Sequence, residues 1–90
     1  MFKVTISGRL TKNPDKLKDT SDGKKAGFIS IAVDSFSKGE KITMFQSVWV
    51  KSTDKFFENM TKGRPVVCVC NAIPDTNDGI TLIASDVQFF

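Results

Sequence analysis

Apolar and polar residues alternate along five stretches of this 90-residue chain, and one segment departs from that spacing. Alternation with a period of two is typical of a β-strand that has one side in a core and the other in solvent. It predicts strands over residues 2–10, 26–36, 41–50, 65–72 and 80–90. Between the third and fourth strands, the spacing of Phe56, Phe57 and Met60 predicts a short helix over 53–62, capped by Ser52 or Thr53.

The order of these elements predicts the fold. Strand–strand–strand–helix–strand–strand in one small domain, residues 1–90, is the order of an OB-fold, an all-β, five-stranded Greek-key barrel with one short helix between strands 3 and 4. An SH3-like barrel would lack the helix. A ferredoxin-like fold would need a second helix, which the polar residues 11–25 do not supply. Gly8 interrupts the apolar side of the first strand and predicts a bulge or a sharp bend there.

The third predicted strand carries the strongest indication of function. Its apolar side, which we expect to face the barrel interior, consists of Ile42, Met44, Val48 and Val50. The other side then places Phe45 and Trp49 outward, with Lys41 and Lys51 beside them. Exposed aromatic side chains are costly unless a partner covers them, and unpaired bases do so by stacking. The alternatives are a covering loop or a subunit contact. The second strand adds two more aromatic candidates, Phe28 and Phe36.

Basic residues are concentrated in one part of the chain. All 13 Lys and Arg lie within residues 1–64 beside seven acids, for a net charge of +6, whereas residues 65–90 carry three Asp and no base. Such a region is typical of proteins that bind phosphates, anionic lipids or acidic partners, although lysine also serves solubility alone. The candidates for phosphate contacts are Lys3, Arg9, Lys24, Lys25, Lys38, Lys41 and Lys51.

The residues that most catalytic and metal sites require are scarce. The chain has no His and two Cys, so it lacks the commonest general base and a full set of zinc ligands. Cys68 and Cys70 share one side of an apolar strand, where we expect small core side chains. We therefore predict no enzymatic activity, no cofactor and no metal. The N-terminus lacks a signal peptide's apolar stretch, and no apolar run approaches about 18 residues, which predicts a cytoplasmic protein with no membrane association.

Four stretches, in the same order, resemble the bacterial and phage family of single-stranded DNA-binding proteins. Residues 8–15 (GRLTKNPD) are similar to that family's G-R-L-T-x-D-P-E stretch, and residues 28–33 (FISIAV) to its N-F-S-L-A-V pattern. Trp49 precedes the Lys-Gly turn at 62–63 as an aromatic residue does in the family, and residues 84–90 (ASDVQFF) resemble its closing A-D-E-V-Q-F-L. The resemblance implies an OB-fold that wraps single-stranded DNA in replication, recombination and repair, usually as a homo-oligomer, with base stacking at Trp49.

Three features depart from the family pattern. The family's other third-strand aromatic sits six residues before the Trp49 position, so the role of Phe45 rests on the strand-face argument alone. The family's long hairpin between the last two strands is cut to residues 74–79, and its acidic-tipped tail does not follow Phe90. The shortened hairpin removes surface that contacts DNA and other subunits in the family, and the tail is the family's route for recruiting partner enzymes. These departures are typical of a minimal form encoded by a phage, plasmid or other mobile element.

The predicted function is non-sequence-specific binding of single-stranded DNA by aromatic stacking and phosphate contacts, as a dimer or tetramer. One alternative is a primosome-type accessory OB protein that acts mainly through replication proteins. A second is an RNA-binding OB module. A third is an oligomerisation module that buries Phe45 and Trp49 between subunits.

Overall fold

The computed structural model describes residues 2–14, 16–76 and 79–90, except for the side chains of Phe36 and Ser37. This part of the chain forms six strands and one helix. In chain order these are β1 (Phe2–Leu10), β2 (Lys18–Asp19), β3 (Lys25–Ser37), β4 (Glu40–Ser52), α1 (Asp54–Glu58), β5 (Pro65–Pro74) and β6 (Ile80–Phe89). All five predicted strands are present. The two-residue β2 lies within the segment that the sequence marks as polar, and it pairs with the start of β3.

The five long strands close into a barrel. β3 and β4 form an antiparallel hairpin, and β5 lies between β1 and β6, antiparallel to both. β4 meets β6 in parallel at Trp49 and Ile83, and β1 returns to β3 through the pairs Arg9–Ala32 and Leu10–Ile31. The OB-fold prediction is confirmed. The helix follows the third long strand as expected, which places it between β4 and β5.

Gly8 lies where β1 changes partner from β5 to β3. A Cβ atom on this residue would lie 2.3 Å from the carbonyl oxygen of Ala32 and 2.8 Å from a methyl carbon of Ile31. The register between β1 and β5 is continuous from Phe2 to Arg9, so the break in the apolar pattern marks a close approach of two strands rather than a bulge.

The core fills the barrel and extends under α1. Its most completely buried side chains are Leu10, Ile31, Val48, Met60, Val66, Cys68 and Cys70. Phe57 is also buried, and the ring of Phe56 lies 5.2 Å from that of Phe89, so the apolar side of the helical segment covers the core. The side chain of Thr53 accepts a hydrogen bond of 3.2 Å from the Phe56 N–H, as expected of a cap.

Helix α1 is shorter than predicted. It ends at Glu58, and the chain continues through turns to Gly63, which has a φ of 87° and donates a 2.7 Å hydrogen bond from its N–H to the carbonyl of Leu10. Glycine adopts such positive φ values without strain. Within the described residues, no helix has the length and apolar character needed to cross a membrane.

The expectation for the apolar side of β4 is right at Val48 and Val50 and wrong at Ile42 and Met44. The first two are buried, whereas Ile42 and Met44 are 50% and 59% exposed. Strands β3 and β4 are 13 residues long, against nine for β1 and ten each for β5 and β6, so the hairpin continues beyond the barrel. Apolar and polar residues still alternate in this extension of the hairpin, but its apolar side chains lie beyond the core.

Candidate nucleic-acid interface

The outward side of the β3–β4 hairpin carries aromatic residues in one row. The register places Phe28 opposite Trp49, and Ala32 opposite Phe45. The rings of Phe28 and Trp49 meet edge to face, with centroids 4.9 Å apart and planes at 72°. Phe45 lies four residues from Trp49 on the same strand, a separation of about 13 Å along β4. We call Phe28, Phe45 and Trp49 the aromatic face.

These three rings differ in how much of them solvent reaches. Phe28 is 56% exposed and Phe45 69% exposed, whereas Trp49 is half-buried beside Phe28. The outward orientation expected for Phe28 and Phe45 is therefore present, and Trp49 is more covered than the strand pattern indicates. Phe36 lies in β3 opposite Lys41, and its side chain is outside the described part of the chain.

Asp34 gathers two of the predicted cations next to Phe45. Its carboxylate accepts a 2.8 Å hydrogen bond from the Thr43 hydroxyl and lies 3.2 Å from Arg9 Nη2 and 3.4 Å from Lys41 Nζ. The Thr43 bond, together with the charges of Lys41 and Arg9, lowers the pKa of Asp34 below its ordinary value. Arg9 and Lys41 thus already have an anionic partner on this side of the hairpin.

Two further predicted cations join neighbouring segments to the hairpin. Lys51 Nζ lies 2.9 Å from a carboxylate oxygen of Asp22, and this contact lowers the pKa of Asp22 well below its ordinary value. Lys25 Nζ lies 3.4 Å from Asp54 at the start of α1 and 3.9 Å from Asp19 in β2. These pairs are exposed, so we expect each to contribute little to stability.

The remaining three predicted cations lie at different distances from the aromatic face. Lys38 occupies the tip of the hairpin with a φ of 53°, in a two-residue turn completed by Gly39. Lys24 lies in the turn before β3, and its carbonyl accepts a 2.9 Å hydrogen bond from the Thr20 N–H. Lys3 pairs with Asn71 of β5, six residues and roughly 20 Å along β1 from Arg9. The structure therefore places Lys3 apart from the other candidates.

Three lysines near the aromatic face were not among the predicted residues. Lys12, Lys16 and Lys18 border a pocket of about 270 Å³ that Phe28 and Trp49 also line. The sequence does contain an indication that these lysines lie near the barrel. Apart from Pro14, Leu17 is the one apolar residue in the polar segment 11–25, and it stands between Lys16 and Lys18. An apolar residue in that setting indicates that the segment packs against the barrel.

The two cysteines lie where the strand pattern places them. Both are free and fully buried in β5, and burial raises the pKa of Cys68 to about 12 and raises that of Cys70 as well. Across residues 2–14, 16–76 and 79–90, no group of three or more His, Cys, Asp or Glu side chains is arranged to hold a metal ion.

Comparison with known proteins finds structural neighbours and no match in sequence. No protein-family model and no curated protein matches the chain. The structure is similar to an SSB of Plasmodium falciparum in complex with ssDNA, with a TM-score of 0.71, 21% identity and coverage of 100% of this chain and 95% of that one. It is also similar to a small single-stranded DNA-binding protein of Streptomyces coelicolor (TM-score 0.75, 17% identity, 99% and 92% covered). A third neighbour is the protein PriB of Ralstonia solanacearum (TM-score 0.73, 7% identity, 99% and 97% covered). Identities this low show a shared fold.

Proposed function

We propose that this chain is a member of the single-stranded DNA-binding protein family that binds single strands without sequence preference and without catalytic activity. The observation that carries the proposal is the aromatic face, three rings displayed on the outside of a barrel beside basic side chains. Stacking of a base on such a ring is worth about 1–3 kcal/mol and tolerates any sequence, because every base has a flat face. Two structural neighbours support the proposal, an SSB in complex with ssDNA and a small single-stranded DNA-binding protein.

The layout of the aromatic face fits one extended strand better than a duplex. Phe28 and Trp49 form one contact point and Phe45 a second, about 13 Å along β4. Base pairs in a duplex are stacked on each other and turn their edges outward, so they have no free face for these rings. Basic side chains lie beside the row, with Lys41 and Arg9 near Phe45 and Lys51 near Trp49. They would contact the phosphates between stacked bases.

We also propose that the protein acts as a homo-oligomer in replication, recombination or repair. One end of the barrel exposes apolar side chains that we call the apolar end, namely Phe2, Met44 and Ile80, which line one pocket. Strand β1 pairs with β5 along Phe2–Arg9 and with β3 at Arg9 and Leu10, so among the described residues most of its second edge is open to another strand. An open strand edge beside exposed apolar residues favours association with a second copy of the chain.

A fluorescence titration tests the DNA-binding proposal. Trp49 is the single Trp of the chain, so its emission reports on the aromatic face directly. We expect oligo-dT to quench this emission, with log K falling by about 0.7 per phosphate contact for each tenfold rise in salt, and duplex DNA to bind far more weakly.

Three other outcomes would count against the proposal as stated. Unchanged emission together with no gel shift at low salt would overturn it. Equal or tighter binding of RNA of the same sequence would favour an RNA-binding OB module. Weak DNA binding together with a stable complex with a replication protein would favour the primosome-type alternative.

A further inference from the structure

The segment between β1 and β3 encloses a pocket next to two of the aromatic rings. Lys12, Lys16 and Lys18 form its cationic side, and Phe28 and Trp49 form its aromatic side. The pocket volume of about 270 Å³ is just below the range of about 300–1,000 Å³ that holds drug-sized ligands. A ligand of this pocket is therefore small, about the size of one nucleotide.

Packing holds the cationic side in place. A Cβ atom on Gly27 would lie 2.8 Å from Leu17 Cδ2, so the Leu17 side chain rests directly on the backbone of β3. Leu17 is half-buried and packs against the core, and Lys18 pairs with Ala26 in the β2–β3 ladder. Lys16 and Lys18 therefore flank a residue that packs against β3.

The two sides of the pocket suit the two parts of a nucleotide. The ammonium groups attract a phosphate, and the aromatic rings offer apolar surface to a base. Inorganic phosphate or a lipid headgroup would use the cationic side alone. An acidic peptide would supply carboxylates but no flat ring of the required size. A nucleotide is the ligand class that uses both sides at once.

We propose that this pocket binds one nucleotide, with its base against Phe28 and Trp49 and its phosphate at Lys12, Lys16 and Lys18. A free nucleoside monophosphate is then a ligand in its own right. The inference rests on the proposed function and deepens it, because it identifies where one unit of the strand is held and assigns a role to three lysines beyond those expected from the sequence.

Thymidine 5′-monophosphate is the probe for this pocket, with thymidine and inorganic phosphate as partial probes. We expect the monophosphate to quench Trp49 emission and to shift the Trp49 indole and residue 16–18 amide signals in NMR spectra. Thymidine should bind more weakly, and inorganic phosphate should shift the amides without quenching Trp49. The double variant Lys16→Gln/Lys18→Gln should weaken monophosphate binding about 4- to 25-fold, at a factor of about two to five per exposed ion contact.

The matched control is Lys55→Gln/Lys62→Gln, which removes the same charge from α1 and the turn after it and should leave monophosphate binding unchanged. Equal monophosphate affinity in the two double variants, or shifts confined to residues outside the pocket, would overturn the inference. An oligo-dT titration of the same samples separates it from the proposed function. If oligo-dT quenches Trp49 and the monophosphate does not bind, the pocket inference fails and DNA binding stands. If neither oligo-dT nor the monophosphate binds, both the pocket inference and the proposed function fail.

Discussion

At the scale of single residues, Asp34 pairs with two of the cations that we propose contact DNA. It accepts from Thr43 and lies within 3.4 Å of both Arg9 Nη2 and Lys41 Nζ. A carboxylate at that point relieves repulsion between the two cations, and it also competes with a DNA phosphate for them. We therefore expect Arg9 and Lys41 to contribute less to DNA affinity than their charges alone would indicate.

The substitution Asp34→Asn should raise the affinity for oligo-dT. It releases two cations and removes one negative charge, so we expect about a two- to fivefold lower Kd at low salt and a steeper salt dependence. Quenching of Trp49 fluorescence by oligo-dT measures both the Kd and its salt dependence. Asp86→Asn in β6 makes the same change in net charge at a carboxylate whose hydrogen-bond partner is Gln88 rather than a predicted cation. An affinity for Asp34→Asn no higher than that of Asp86→Asn would contradict this role of Asp34.

The buried thiols should be unreactive in the folded protein. The thiolate is the reactive form of cysteine, and burial raises the pKa of Cys68 to about 12 and raises that of Cys70. A colorimetric thiol reagent at pH 8 should modify both residues in urea and neither in native buffer. Rapid labelling of the native protein would show that β5 opens far more readily than a core strand should.

At the scale of the elements, alternation alone predicts the five long strands but not where the core ends along them. Val48 and Met44 occupy equivalent positions in the pattern of β4, and only the first is buried. The difference depends on the lengths of β1, β5 and β6, which the local pattern of β4 does not contain. Strand β2 depends likewise on a contact between Leu17 and Gly27, ten residues apart.

The geometry of the candidate site, like the extent of the core, was predictable only in part. Strand parity alone places Phe28 and Phe45 on the outward side. The ion pairs were not predictable, because Arg9 and Asp34 are 25 positions apart and meet only when β1 closes onto β3. The partial burial of Trp49 was not predictable either, because it also depends on contacts made in the folded barrel.

Closure of the barrel depends on the absence of a side chain at Gly8. Gly8→Ala would place a methyl group 2.3 Å from the Ala32 carbonyl oxygen, a backbone atom that cannot move aside cheaply. We expect this variant to lose about 1–3 kcal/mol of unfolding free energy, measured by urea denaturation. The exposed neighbour Ser7, changed to Ala, is the control and should change stability by about 0.5 kcal/mol or less. Equal stability of the two variants would argue against a closure point at Gly8.

At the scale of the whole molecule, the proposed function gives two exposed apolar regions different partners. The aromatic face lies on the outside of the β3–β4 hairpin, and the apolar end lies at the free edge of β1 with Phe2 and Ile80. Basic side chains accompany the first region. We therefore propose that DNA binds the aromatic face and that a second copy of the chain binds the apolar end.

Ile80→Lys should dissociate the oligomer and leave the binding of a short oligo-dT by each protomer unchanged. A charge at the apolar end would have to be buried without a partner in the assembled state. Light scattering coupled to size-exclusion chromatography gives the mass. Phe45→Lys introduces the same charge on the aromatic face and should leave the mass unaltered. If Phe45→Lys dissociates the protein and Ile80→Lys does not, the aromatic face is the subunit interface instead.

The most direct test of the central claim compares two equally exposed phenylalanines. Phe45 on the aromatic face is 69% exposed, and Phe90 at the end of the chain is 71% exposed. We predict that Phe45→Ala raises the Kd for oligo-dT by about 5- to 150-fold, the equivalent of one lost base stack, and that Phe90→Ala leaves it unchanged. Equal affinities of the two variants would contradict DNA binding by the aromatic face.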